Sequence, residues 1–217
     1  MKNGFPDEKI KLEPNSKPYL FKRIISDGLD TVVVFILFFV ISMAIFASPL
    51  SKTYMGHYEN YKNVEENAVE KYGDDSAAIG DFLENDAYYR DERFAANLHG
   101  YLMKLLAGFI AEATVLLLIP LVTKARGTPG KLLTKIIPFS EKRQARASVL
   151  QIIGRFAFIF IIDSAFLYLI TGIYTFLLVP VLRLIEMLLS KKNKTVCDAL
   201  SGIMIIEQLS YDGIDNF

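Results

Sequence analysis

The sequence predicts an all-α protein of the membrane: a polytopic helical bundle with four transmembrane helices and a helical extracytoplasmic hairpin between the first two. Three observations predict it. Apolar residues make up 52% of the 217 and fall in blocks, several long enough to cross hydrocarbon about 30 Å thick as a helix. The charges sum to zero, yet acidic and basic residues are sorted into different segments between the blocks. A single cysteine, Cys197, rules out an intrachain disulfide framework or a Cys-rich metal site.

Residues 1–18, with Pro6, Pro14, Pro18 and Gly4 among mixed charges and no helical period, read as a flexible tail. From Tyr19 the apolar residues Leu20, Ile24 and Ile25 recur at helical spacing. Arg23 and Asp30 stand seven apart, on nearly one helix face, with Asp27 one turn after Arg23. This segment is expected to lie at the headgroup boundary and to continue, or bend at Gly28, into a first span at about 31–47. A secretory signal has an apolar core of about 7–15 residues near the terminus, whereas this run is longer and follows a long polar segment, so the span is expected to be retained.

Residues 51–100 form an acidic insertion, eleven carboxylates against five basic residues, a net of about −6. Tyr54, Tyr58, Tyr61, Val64, Ala68 and Tyr72 repeat at three or four, and Ile79, Phe82, Leu83 and Phe94 follow a turn signal at Gly73. A hairpin of two helices standing off the membrane is expected. Its histidines, His57 and His99, have no close partner at metal-ligand spacing.

A second span is expected at about 102–122, with Glu112 near mid-depth. The following loop holds Lys124, Arg126, Lys131, Lys135, Lys142, Arg143 and Arg146 against Glu141 alone. The positive-inside rule puts this loop, and hence both termini, in the cytoplasm. Residues 152–189 are almost unbroken apolar sequence, about 57 Å as one helix and too long for one crossing. The Thr171-Gly172 pair divides them into spans at about 152–170 and 173–189. The basic Lys191, Lys192 and Lys194 then fall inside, as the same rule requires. Residues 195–209 are too short to cross again and are expected to pack along the inner face before a polar tail, 210–217.

Charged groups in hydrocarbon cost about 2.5–3.5 kcal/mol each and mark functional positions. Glu112 and Asp163 are the two deep carboxylates, each about ten residues from its span start; side by side they would share a proton or hold a cation. The bland reading is that each is neutral and hydrogen-bonded across helices. Nearer the inner boundary lie Arg23, Asp27, Asp30, Arg155, Arg183, Glu186 and Asp198, which read as an ion-pair layer fixing helix register, with Arg183 and Glu186 able to pair locally.

Gly127-Thr128-Pro129-Gly130-Lys131 lacks the spacing, the hydroxyl residue and the strand of a phosphate loop; it suits a tight turn with Gly at positive φ. No serine, cysteine or metal constellation predicts an enzyme, no cofactor is expected, and no basic stripe suits nucleic acid.

Arg23 and Asp30 entering the first span, Gly127 to Lys131 after the second, and Thr195-Val-Cys-Asp198 after the last together resemble the RDD family of bacterial membrane proteins. The resemblance covers about 19–209 and places the naming arginine and aspartates at Arg23, Asp30 and Asp198. It implies a bacterial cell-membrane protein. Some members are associated with sodium or proton antiport, and others resemble accessory partners of membrane proteases or stress proteins. The chain departs from the pattern in Asn193-Lys194, where a basic residue is usual, and in its long outer segment. Two functions follow as expectations: a cation/proton exchanger using Glu112 and Asp163, or a non-enzymatic scaffold binding a protein or a second copy through 51–100. Partners beyond the lipid bilayer are thus a sodium ion or proton, or a protein.

Overall fold

The computed structural model describes residues 17–143, 145–190 and 193–207. Residues 1–16 of the expected tail at 1–18, the expected tail at 210–217, and Lys191 and Lys192 of the last basic cluster lie outside them. The chain is mostly helical. Its elements are α1 (Lys17–Phe46), α2 (Lys52–Tyr72), α3 (Ser76–Asn85), α4 (Ala87–Glu112), a π-helical stretch (Ala113–Leu118), α5 (Ile119–Val122), α6 (Pro129–Leu133), β1 (Ile136–Ser140), β2 (Ala145–Arg146), α7 (Val149–Phe158), a second π-helical stretch (Ile159–Phe166), α8 (Leu167–Thr171), α9 (Thr175–Leu189), α10 (Val196–Leu200) and β3 (Ile203–Glu207).

Three helical runs are long and apolar enough to cross a membrane: Tyr19–Phe46, Ala87–Val122 and Val149–Ile170. They contain the first three expected spans but begin earlier, because the chain is already helical when it reaches the apolar block. Among the described residues α1 begins at Lys17 and runs through Gly28 without a break, so the bend allowed for there is absent. The third run stops at Gly172, whose φ of 57° suits a residue without a Cβ. After it α9 has fifteen residues, about 22 Å.

The small sheet departs from the all-helical expectation. β1 pairs antiparallel with β2 and with β3, in the order β2-β1-β3. Ile136, Ile137, Phe139, Ile203, Ile205 and Ile206 are β-branched or aromatic, and both strands are buried almost throughout. Alternation splits them between two cores. Ile136, Ile203 and Ile205 join Tyr19, Ala147 and Ile152, while Ile137 and Phe139 join Met204 and Ile206. Such short, doubly buried strands show no polar alternation, which is why the sequence did not separate them from loop and helix. Pro138 sits in the central strand without harm. Its carbonyl accepts from Ala147 N–H at 3.1 Å on the β2 side, so its missing donor faces the short strand and the β3 ladder stays intact.

The described residues form two units, one from 17–36 with 111–207 and the other from 37–110. The second holds α2, α3 and most of α4. Here the tyrosines interlock: Tyr54 against Tyr58 at 5.9 Å, Tyr58 against Tyr61 at 5.3 Å, and Tyr61 against Tyr89 at 6.1 Å between ring centroids. Tyr89, on α4, donates to Glu65 of α2 at 2.8 Å. The aromatic stripe is thus the seam that joins α2 to α4.

Candidate functional site

The first unit is built around a buried cluster of charge. Helical spacing in α1 aligns Arg23, Asp27 and Asp30, and tertiary packing brings Lys131, Arg155 and Asp198 to them. Arg23, fully buried, donates to the Asp198 carboxylate and to the Asn193 carbonyl. Arg155 of α7 donates Nε–H to the other Asp198 oxygen at 2.7 Å. Asp198 is also part of a capping box. It accepts from Thr195 N–H at 3.3 Å and donates its own N–H to Thr195 Oγ1 at 3.2 Å, which starts α10. One carboxylate thereby joins α1, α7 and α10.

A second node sits where α6 meets α1. Asp30 accepts from the Thr128 hydroxyl and from Gly130 N–H at 2.7 Å. Lys131 Nζ reaches Asp27 at 2.9 Å and Asp30 at 3.3 Å. Arg23 Nε lies 3.9 Å from Asp27, so the two nodes touch through α1. Pro129 takes the first helical position of α6, with Thr128 as N-cap, so the segment is a helix start and Gly130 is not at positive φ, contrary to the turn expected there. What requires glycine is proximity. A Cβ on Gly130 would lie 2.1 Å from the Ser26 carbonyl oxygen.

Three cations, Arg23, Lys131 and Arg155, balance three carboxylates, Asp27, Asp30 and Asp198. Burial alone would push the Asp198 carboxyl up. The adjoining Arg23 and Arg155 guanidinium groups overcome it and hold the carboxyl well below the usual carboxylate range. Arg183 stands near enough to act electrostatically on Asp27. Glu186 accepts from Val196 N–H at 3.1 Å, so it binds the start of α10. Gly127 is buried and its carbonyl accepts from Thr123 Oγ1 at 3.4 Å. Chemically the cluster is a self-neutralised clasp, each carboxylate being tied to at least one cation.

The deep carboxylates stand elsewhere. Glu112 ends α4 immediately before the Ala113–Leu118 π-helical stretch and is 8% exposed. Asp163 lies inside the second stretch, Ile159–Phe166; its side chain lies outside the described residues. In the second unit His57 and His99, forty-two positions apart and unrelated by any sequence spacing, are stacked with centroids 5.3 Å apart. His57 Nδ1 is 2.7 Å from Glu92. Asn60 donates to the same Glu92 oxygen at 3.0 Å.

The sequence reading missed two contributors: Tyr19 donates its hydroxyl to the Ile205 carbonyl, and Gln151 donates to the Ser201 and Gly202 carbonyls at 3.3 and 3.0 Å. It named Thr128 only as part of a turn, whereas its hydroxyl donates to Asp30. Only Gly130 beside Pro129 carried a local signal, and it was the wrong one, turn chemistry in place of close packing.

No curated protein and no solved structure matched the chain. A family model did, over residues 17–202, and its description is RDD family. The match spans α1 through α10, and so takes in the clasp and all three long apolar helices: the chain belongs to the RDD family of membrane proteins.

Proposed function

We propose that this membrane protein exchanges a small cation, sodium by the family resemblance, for protons, with Glu112 and Asp163 as the carboxylates that take them in turn. One observation carries the reading: both carboxylates stand where their helices leave α geometry. Glu112 abuts one π-helical stretch and Asp163 lies within the other. Such stretches shift the carbonyl pattern and concentrate at functional sites, and acidic groups at membrane depth are functional by default. A carboxylate takes either a proton or a cation on the same oxygens, so the two ligands compete. The clasp of Arg23, Asp30 and Asp198 serves as a rigid base, since its charges already neutralise one another. In this reading the basic 124–146 segment and both termini face the cytoplasm, 51–100 faces outward, and α9 completes a four-helix bundle.

Proton-coupled sodium flux in sealed proteoliposomes tests it. Wild type is expected to move sodium against a pH gradient, with flux falling at least about tenfold in Glu112→Gln and in Asp163→Asn. Equal flux in the folded double variant would remove the proposal. The second reading, a scaffold binding a protein partner, keeps one observation in its favour. With the tyrosine stripe engaged in the α2–α4 seam, Tyr88 and Phe94 of α4 remain 54% and 69% exposed, and exposed aromatics are common anchors at protein contacts.

A further inference from the structure

Where α7 begins its run through the membrane it borders a groove of about 380 Å³ whose walls change character along its length. One end is polar. Lys142 and Arg143, in the turn after β1, are exposed there, and among the described residues neither has an ion-pair partner. Ser140, Ser148 and Ser201 also line the groove.

The rest is apolar. Leu150, Gly154 and Phe158 follow one another at intervals of four on one face of α7, and Leu200 of α10 faces them across the groove. Leu150 is 77% and Leu200 55% exposed. A Cβ built on Gly154 would meet nothing within 4 Å, so the stripe has an open notch at its middle. Gln151, bonded to the Ser201 and Gly202 carbonyls, holds the two walls at a set spacing.

We propose that this groove binds an anionic glycerophospholipid. Its phosphate sits against Lys142 and Arg143, and one acyl chain lies in the Gly154 notch between Leu150 and Phe158. Two features point to a lipid and away from a free anion. The ten residues of α7 extend about 15 Å, the depth of one leaflet of a hydrocarbon core about 30 Å thick. The cations stand at the end where that helix enters the apolar phase, the level at which headgroup phosphates lie. A zwitterionic lipid would bring a further positive charge to two cations that have no ion-pair partner among the described residues. The inference does not depend on whether the chain moves ions.

Native mass spectrometry of the full chain in detergent, titrated with phosphatidylglycerol or phosphatidylcholine, is the test. Wild type is expected to retain one phosphatidylglycerol in preference to phosphatidylcholine. Lys142→Gln/Arg143→Gln is expected to lose that preference by about 10- to 30-fold. Gly154→Leu, filling the notch, is expected to weaken both lipids several-fold while leaving the charge preference in place. The altered side chains are exposed or face open space, so both variants are expected to melt like wild type. Equal binding of the two lipids by wild type would overturn the proposal, as would unchanged retention in both variants. Displacement by inorganic phosphate at the same concentration as the lipid would show a free-anion site and overturn it too.

Discussion

At the residue scale, Asp198 is the side chain on which most of the cluster depends. It is fully buried between two guanidinium groups, and removing its charge leaves both cations buried without their partner. Asp198→Asn is therefore expected to cost about 3–5 kcal/mol, read as a lowered melting temperature in detergent. A loss under about 1 kcal/mol would mean that solvent reaches the cluster and screens it. The pH dependence has a definite sign. Because the folded carboxyl is held below its unfolded value of about 3.9, its contribution is complete above that value and disappears as pH falls through the folded one. The gap in melting temperature between wild type and Asp198→Asn should stay constant from about pH 8 to about pH 5 and shrink below about pH 4.

At the scale of elements, two contacts decide whether neighbours stay together. α6 lies directly on α1 at Gly130 and Ser26, and an added methyl has backbone in its way. Gly130→Ala should cost about 1–3 kcal/mol by forcing the helices apart, and it should also lengthen the Asp30 bonds to Thr128 and Gly130. Faster hydrogen exchange at α6 would report this, whereas unchanged exchange would show that α6 can slide without cost. In the 37–110 unit, Tyr89 is 5% exposed, packs on Tyr61 and bonds Glu65. Tyr89→Ala should loosen α2 from α4 by about 3 kcal/mol, seen as protease cutting near Gly73 while the sheet stays protected. The two units make this local, since Tyr89 belongs to 37–110 and the sheet to the other unit.

At the scale of the whole molecule, the proposed orientation rests on charge. In sequence, the acidic insertion precedes the apolar part of the Ala87–Val122 run and the basic 124–146 segment follows it, and the positive-inside rule predicts opposite faces for the two. A membrane-impermeant maleimide added to intact cells should label Glu59→Cys and leave Lys124→Cys unlabelled until the membrane is opened. Both positions are exposed, and the native Cys197 is buried, so background reaction is low. Labelling of Lys124→Cys from outside would invert the assignment and place the clasp on the outer face.

The sequence by itself determined the class, the apolar stretches within the three long helices though not where those helices begin, the break at Gly172 and the family. Each of these is a sum or a pattern over consecutive residues, and hydropathy, helical spacing and short motifs are local quantities. Tertiary structure alone decided the rest. Arg23 meets Asp198 across 175 positions, and Gly130 meets Asp30 across 100. β1 pairs with β3 from the far end of the chain, and Tyr19 reaches Ile205 across 186 positions. No local pattern encodes a partner that distant. Asp198 illustrates the division. Its motif placed it among the naming residues, but only the fold shows why it must be an aspartate: two oxygens for two arginines, with one of them also receiving the Thr195 N–H that opens α10.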